Sequence, residues 1–252
     1  MAVLAKWAER VRIFAVSEEP VFDNCWTIGE DTLSFLVEEL QSLRMEHLVE
    51  FGSGASTVRL ALRFPQTAIL SIENSPRFYQ HTLRLLDNVP AHRVTLELRD
   101  LHWQRHGFGL YQSYHPGPMP DRVDAAIIDG PPWWTTRGRE ACLYQVFDVL
   151  RIGGRVYLDD FGRPAEQQIV RNWLSSYPGA FQVKAVACGH GLCVLEKINH
   201  LRRPRRMALA VLRDNWLGNS RRLLSRIRSS MFCASLLSRM QTSLAPGRKP
   251  LD

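Results

Sequence analysis

Leu48-Val49-Glu50-Phe51-Gly52-Ser53-Gly54-Ala55-Ser56-Thr57 is an apolar run that ends in an acidic residue and continues into Gly-x-Gly. This order is typical of a strand, a short loop and the first turn of a helix. Glycines in such a loop permit positive φ and let a ligand come close to the backbone, and the helix start offers unpaired N–H groups. The stretch predicts either a loop that binds a polar ligand, with Glu50 accepting from an ammonium or a hydroxyl, or a plain glycine-rich connection.

Strands and helices alternate along the rest of the chain. Apolar runs bounded by turn residues indicate strands, and apolar residues three or four apart indicate helices. We predict strands over residues 47–51, 68–73, 94–100, 123–129, 155–160, 181–187 and 192–197, and helices over 31–40, 57–64, 76–86, 139–150 and 164–176. This order, closed by a C-terminal β-hairpin, predicts an α/β fold with a Rossmann-like, seven-stranded, mostly parallel sheet.

Acidic residues close five of these strands, at Glu50, Glu73, Asp100, Asp129 and Asp159-Asp160. The carboxyl ends of parallel strands meet at one edge of a sheet, where ligands bind. Glu73 follows Glu50 by 23 residues. At that spacing in a strand–helix–strand unit, an acidic side chain can accept from ribose hydroxyls.

Two connections at this edge carry residues suited to contact a second substrate. Residues 101–120, rich in His, Trp, Gly, Tyr and Pro, are predicted to form a long irregular connection. Gly130-Pro131-Pro132 forms a stiff turn after the fourth strand and is followed by Trp133 and Trp134. A rigid backbone and two aromatic rings beside a carboxylate favour a preorganised pocket.

Together, the motifs over about residues 30–198 resemble those of the class I S-adenosylmethionine-dependent methyltransferases. The run from Glu50 to Gly54 resembles the family's first motif, which lines the methionine part of the cofactor. Gly153-Gly154 resembles the glycines before its fifth strand, and this pair is expected to end the helix over 139–150. The resemblance implies S-adenosylmethionine as cofactor, with contacts at Glu50, Gly52, Ser53, Gly54, Thr57, Glu73, Asn74, Asp100 and Asp129.

The resemblance also implies methyl transfer, with Asp129, Asp159 and Asp160 as the catalytic candidates. Catechol-type O-methyltransferases place Mg²⁺ ligands at these positions, and carboxylates suit a hard cation. Pro132 stands where those enzymes carry a lysine, and Asp160 stands where they usually carry an asparagine, so a requirement for Mg²⁺ stays open. Without a metal, Asp129 or Asp159 would serve as the general base.

The nature of the acceptor is less constrained. We predict O-methylation of a small molecule or of a sugar hydroxyl. N-methylation is the alternative, because Asp129-Gly130-Pro131-Pro132 resembles the Asp-Pro-Pro-aromatic motif of amino-methyltransferases, with Gly130 inserted. A non-catalytic scaffold with a methyltransferase-like fold, whose basic tail binds a membrane or RNA, is the alternative of a different class.

Charge divides the chain unevenly. Residues 199–252 hold 12 basic and 2 acidic residues, whereas the preceding 198 hold 20 and 23. We predict an N-terminal helical segment over 1–30, the methyltransferase domain over 31–198 and a basic, amphipathic helical tail over 199–252. This tail is expected to pack on the domain or to lie on an anionic membrane surface. Nucleic acid is a less favoured partner, because few aromatic residues interleave the basic ones.

Composition favours a cytoplasmic protein. Hydrophobic residues make up 45% of the chain and charged residues 23%, which is ordinary for a globular protein. No run approaches the roughly 18 apolar residues of a spanning helix, and the first residues do not resemble a signal peptide. Five scattered cysteines without a Cys-x-x-Cys pair predict reduced thiols. We therefore expect a cytoplasmic location, with peripheral membrane contact through the tail.

Overall fold

The computed structural model describes residues 28–107, 109–135 and 137–200. The helices are α1 Glu30–Gln41, α2 Ala55–Arg63, α3 Pro76–Leu86, α4 Gly138–Val146 and α5 Pro164–Ser176. The strands are β1 His47–Phe51, β2 Ala68–Glu73, β3 Val94–Leu98, β4 Leu101–His106, β5 Gly109–Tyr114, β6 Val123–Ile128, β7 Leu150–Leu158, β8 Phe181–Val186 and β9 Leu192–Lys197. Most of the predicted N-terminal helical segment (1–30) and of the basic tail (199–252) lies outside the described residues, so both stay predictions.

Seven strands form one sheet in the order β3-β2-β1-β6-β7-β9-β8. β9 runs antiparallel to both of its neighbours, and the pairs from β3 to β7 are parallel. This confirms the predicted Rossmann-like, mostly parallel sheet with a C-terminal hairpin. The chain builds outward from β1 to β3 on one side and then continues with β6 on the other side of β1. In open α/β sheets, ligands bind beyond the carboxyl ends of the strands at such a switch point.

Helices cover both faces of the sheet, because neighbouring residues of each buried strand point to opposite sides. In β1, Leu48 lies in a core with Leu36 and Leu40 of α1. Val49, the next residue, lies in a different core with Val146 of α4. All five side chains are fully buried, and burying each one contributes about 1.5–3 kcal/mol. The two cores hold the ends of the central strands in place.

Residues 101–120 differ from the irregular connection predicted for them. β4 and β5 pair as an antiparallel hairpin, which forms a small sheet of its own. The hairpin covers the outer side of α4, so that Gln104, Tyr111 and Ser113 are buried. The prediction of an irregular connection was therefore wrong. It failed because two of these three buried residues are polar, which hides the alternation of apolar and polar residues that identifies a half-buried strand.

The glycine pair Gly153-Gly154 also lies elsewhere than predicted. α4 ends at Val146, and both glycines lie inside β7 instead of ending the helix. The register between β6 and β7 shifts after Val123, and Gly153 has a φ of +71°. A residue with positive φ is what an irregularity in a strand pair often requires. The helix predicted over 139–150 is shorter because Leu150 already pairs with Val123.

Candidate active site

The glycine loop lies where β1 and β6 end next to each other. Gly52 has a φ of +100° and donates its N–H to the carbonyl of Ile72 at 2.9 Å. A Cβ at position 52 would lie 3.0 Å from the backbone nitrogen of Gly130. Gly130 in turn donates to the carbonyl of Phe51 at 2.7 Å. Glycine is thus required at position 52, both for its left-handed backbone and for the close approach of the two loops.

Glu50 lies beneath this loop with no exposed surface. Its carboxylate accepts from the hydroxyls of Ser56 at 2.6 Å, Thr57 at 2.6 Å and Ser71 at 2.7 Å. Burial raises the pKa of Glu50, and the three hydroxyl donors oppose that rise. Glu50 and the equally buried Thr57 therefore fasten the loop to α2 and β2 from below. Direct contact of either residue with a cofactor stays a prediction.

Glu73 ends β2 and is held towards the same loop. Its Oε1 accepts from the N–H groups of Asn74 at 2.8 Å and Ser75 at 2.7 Å. Its Oε2 accepts from the N–H of Ser53 at 3.0 Å and from the Ser53 hydroxyl at 3.2 Å. That hydroxyl has a second partner, the hydroxyl of Thr82 at 3.0 Å. The carboxylate is thus oriented by neutral donors, and no positive side chain is among these partners.

The remaining predicted cofactor contacts surround the loop. Gly54 precedes α2, and the space beside its Cα is open. Asn74 is half-buried beside Glu73. Asp100 is exposed at the junction of β3 and β4. The structure thus brings Ser53, Glu73 and Asn74 together, while a cofactor contact of Asp100 stays a prediction.

Three aspartates meet where β6 and β7 end. One carboxylate oxygen from each of Asp129, Asp159 and Asp160 lies within 4.8 Å of the others. The guanidinium of Arg139 lies against them, with Nη2 3.2 Å from Oδ1 of Asp129 and Nη1 2.9 Å from Oδ2 of Asp160. Its Nη1 also donates to the carbonyl of Asp159 at 3.4 Å, and its Nε donates to the carbonyl of Pro131 at 3.4 Å. The predicted catalytic residues therefore come together around a cation.

Sequence reasoning missed Arg139. This residue lies in the first turn of α4, a helix that is buried at eight of its nine positions. Arginine is almost never buried without a partner. The signal available in the sequence was an Arg139-Glu140 pair at the start of an otherwise apolar helix. That signal could have indicated buried ion pairs, although it could not have shown which carboxylates receive them.

Asp160 contacts two further basic side chains, Arg163 and His190. Its backbone is left-handed, with a φ of +62°. Its Oδ2 accepts from Nη1 of Arg163 at 2.8 Å, and its Oδ1 lies 3.6 Å from Nδ1 of His190. His190 lies in the turn between β8 and β9, and its carbonyl accepts from the N–H of Gly162 at 2.8 Å. These contacts hold Asp160 in place, its predicted catalytic role stays a prediction, and the place of His190 beside it was not predicted.

Asp129 and Asp159 both have a raised pKa. Burial raises the pKa of Asp129 to about 7; the charges of Asp159 and Asp160 add to the rise, and Arg139 opposes it. Burial also raises the pKa of Asp159. A carboxylate whose pKa lies near the working pH is well matched to accept a proton in a reaction. Asp129 is also the most exposed of the three, with 23% of its side chain accessible.

One buried and two exposed aromatic residues lie near Asp129, the first in space and the others along the chain. Tyr114, the last residue of β5, is buried, and its hydroxyl lies against Gly130 so closely that a Cβ there would overlap it. Burial raises the pKa of Tyr114 well above its usual value, so the phenol stays neutral. Trp133 and Trp134 are 65% and 44% exposed and offer open apolar surface shortly after Asp129 along the chain.

Solved structures share this arrangement of helices and strands. A methyltransferase from Geobacter sulfurreducens is 15% identical and matches over 79% of this chain and 90% of its own, with a TM-score of 0.51. An SAH-bound methyltransferase from Podospora anserina is 14% identical and matches over 77% and 96%, with a TM-score of 0.52. A cofactor-bound protein from MTB is 15% identical and matches over 77% and 90%, with a TM-score of 0.54. Comparison with protein-family models and with curated sequences finds no match.

The chain has a methyltransferase fold. At such low identities the similarity establishes the fold alone, and a fold can host many chemistries. In this methyltransferase fold, the function has to be argued from the residues at the carboxyl edge of the sheet. That edge carries two groups of carboxylates: Glu50 and Glu73 around the glycine loop, and Asp129, Asp159 and Asp160 around Arg139.

Proposed function

We propose that this protein is an S-adenosylmethionine-dependent methyltransferase that methylates a hydroxyl oxygen of a small molecule or a sugar. One observation carries the proposal. Glu73, oriented by backbone N–H groups at the glycine loop, shares the sheet edge with Asp129, a carboxyl group whose pKa of about 7 suits proton transfer. The SAH-bound state of the Podospora anserina methyltransferase, which shares the fold, supports the choice of cofactor.

The residues around the glycine loop fit this cofactor. The space beside the Cα of Gly54 is open, so a ligand can approach the bare backbone there. Neutral donors hold the carboxylate of Glu73, so its negative charge stays available to hydroxyl and cationic groups. A ribose hydroxyl would replace the Ser53 hydroxyl on Oε2, because the Ser53 hydroxyl keeps Thr82 as a partner. When bound, S-adenosylmethionine supplies a methyl group whose bond to sulfur breaks, with its electrons staying on sulfur, as the bond to the acceptor oxygen forms.

Asp129 takes the proton from the acceptor hydroxyl in this proposal. It is the most accessible of the three aspartates, and its raised pKa makes it basic enough to accept a proton near neutral pH. Arg139 fixes one of its two carboxylate oxygens and leaves the other for the acceptor. Trp133 and Trp134 offer exposed aromatic faces for the apolar side of an acceptor ring.

The backbone carbonyls after Asp129 favour oxygen over nitrogen as the methylated atom. An amino-methyltransferase of the type that this loop resembles uses a proline carbonyl to accept from the target amine. Here the carbonyl of Pro131 accepts from Nε of Arg139 at 3.4 Å. The carbonyl of Pro132 accepts from the N–H of Thr135 at 2.9 Å and from its hydroxyl at 2.8 Å. The carbonyl of Pro132 thus already has a donor for each of its two lone pairs, which supports a hydroxyl acceptor.

A cytoplasmic location and a contact of the basic tail with anionic membrane belong to the same proposal. Among the described residues, no helix has the length and the apolar character needed to cross a membrane. The described cysteines, Cys142, Cys188 and Cys193, are free thiols. Twelve basic residues in the stretch 199–252 support attraction to anionic lipid. Cell fractionation of the full chain, and of a variant that lacks residues 201–252, tests both parts.

Calorimetric titration of S-adenosylhomocysteine tests the cofactor assignment directly. We expect the wild type to bind, and Glu73→Ala to weaken binding at least about tenfold, the scale of a lost hydrogen bond to a charged group. Glu38→Ala, which removes an exposed carboxylate from α1, is the matched control and should bind as the wild type does. Folded wild-type protein that fails to bind at about 1 mM ligand would contradict the proposal and favour the scaffold alternative.

A further inference from the structure

Asp129, Asp159 and Asp160 have the spacing of a metal site, yet a basic side chain already lies in that space. Their nearest oxygens lie within 4.8 Å of one another, which is close enough for one cation. A Mg²⁺ ion would need near-octahedral oxygen ligands at about 2.0–2.1 Å, several of them water. The guanidinium of Arg139 contacts the carboxylates of Asp129 and Asp160 and the carbonyl of Asp159. The residues present therefore do not fit a divalent metal.

Arg139 cannot easily leave this position. Only 9% of its side chain is exposed, and it lies in the first turn of the buried helix α4. Besides the aspartates, it donates to the carbonyl of Pro131 and lies 3.9 Å from the carboxylate of Glu166. Arginine does not lose its charge at any relevant pH. Displacing it would leave a buried charge without partners, which is strongly unfavourable.

Asp160 has little capacity left for a metal. Its Oδ2 accepts from both Arg139 and Arg163, and its Oδ1 faces the imidazole of His190. A carboxylate has about four lone-pair positions for donors or metal ions, and these groups approach both of its oxygens. The chain also carries Pro132 where the metal-dependent enzymes that the sequence resembles carry a lysine.

We propose that Arg139 is the resident cation of this site, that it takes the place of a divalent metal, and that methyl transfer here requires none. Its permanent charge offsets part of the negative charge of the aspartates, and its Nη2 holds Oδ1 of Asp129 so that the other oxygen is left for the acceptor. Arg139 is a positioning residue in this scheme, because it acts through Asp129. The part about methyl transfer rests on the proposed function, whereas the exclusion of metal does not depend on it.

Titration with Mn²⁺, followed by electron paramagnetic resonance of the free ion, tests the exclusion of metal. We expect wild-type protein to retain no Mn²⁺ at this cluster up to about 1 mM. Arg139→Met, which keeps the side chain's length and removes its charge, should bind Mn²⁺ at least about tenfold more tightly than wild type. Adding Asp159→Asn to that variant should abolish the gain. Arg163→Met is the matched control, since it removes a more exposed arginine from the same carboxylate and should gain no site.

Two results would overturn the proposal. The first is that the wild type retains Mn²⁺ and the Asp159→Asn variant does not. This comparison does not depend on whether any arginine variant folds. The other is a folded Arg139→Met variant that gains no Mn²⁺ binding.

Methyl transfer measured with a chelator and with added Mg²⁺ then tests the second part, and we expect equal rates in both. A strict requirement for Mg²⁺ would contradict the proposal. Absence of turnover with every acceptor tried would count against the proposed function and leave the Mn²⁺ result standing.

Discussion

Glu73 is held by three backbone N–H groups and a serine hydroxyl, whereas Asp129 and Asp160 are held by the guanidinium of Arg139. Both groups of carboxylates lie at the same sheet edge, but different kinds of donor stabilise their negative charge. Neutral donors orient a carboxylate and leave its charge in place, whereas a guanidinium cancels part of that charge. The glycine-loop side thus presents Glu73 without a cationic partner among the groups that hold it, whereas on the aspartate side burial raises the pKa of Asp129 to about 7 although Arg139 opposes the rise.

The largest expected effect is on the aspartate side. Asp129→Asn removes the proton acceptor and keeps the size of the side chain. We expect kcat to fall by about 10²–10⁴-fold, the usual contribution of a general base, while the Kd for S-adenosylhomocysteine changes much less. Steady-state kinetics and calorimetry on one preparation check this. If the affinity for S-adenosylhomocysteine fell by as large a factor as kcat, the aspartate side and the glycine-loop side would not differ in function.

The pH profile should show the same group. Because the pKa of Asp129 is raised to about 7, Asp129 is protonated below that pH and cannot accept a proton. We expect kcat/KM to rise with pH and level off above about 7, so that about a hundredfold separates pH 5 from the plateau at high pH. In Asp129→Asn, the residual kcat/KM should no longer rise between pH 5 and pH 7. A wild-type rate that does not change across this range would argue against Asp129 as the base.

A smaller effect is expected on the glycine-loop side. Gly52→Ala places a side chain on a backbone with a φ of +100° and 3.0 Å from the nitrogen of Gly130. We expect the free energy of unfolding to fall by about 1–3 kcal/mol. Urea unfolding measures the loss. Gly29→Ala is the control, because its φ is −59° and a Cβ there meets nothing within 4 Å. Equal losses in both variants would show that the crossing of the two loops is not tight.

The smallest effect is expected for a single neutral donor. Ser53→Ala removes the hydroxyl that lies 3.2 Å from Glu73 and leaves the three N–H donors. The free energy of unfolding should fall by only about 0.5–1.5 kcal/mol. Ser34→Ala, at an exposed position of α1, should change it by less than about 0.5 kcal/mol. A loss of several kcal/mol in Ser53→Ala would mean that the position of the Glu73 carboxylate depends on the Ser53 hydroxyl alone and not on all four donors together.

The glycine-loop side could be predicted from sequence because its parts are close along the chain. Glu50, Gly52 and Glu73 belong to one strand–helix–strand unit, and parallel strands bring their ends to one edge. The same rule placed Asp129 and Asp159 together correctly. The sheet as a whole followed from the alternation of apolar runs and helical periods.

The parts that could not be predicted depend on contacts between distant segments. Arg139 reaches the aspartates because α4 begins beside the loop that follows β6, after a left-handed residue at Arg137. The sequence around Arg139 does not specify that its side chain points towards the aspartates. The hairpin of β4 and β5 was missed for a related reason, since its buried residues Gln104 and Ser113 become acceptable in a core only through their partners on α4 and β5.

The contact between Tyr114 and Gly130 has an evolutionary consequence. The phenol oxygen fills the space that a side chain at position 130 would occupy, so the two positions share a single volume. Among relatives of this chain, any residue larger than glycine at 130 should be accompanied by a smaller residue at 114. The strand hairpin and the loop after β6 would then diverge together, although 16 positions separate these two residues along the chain.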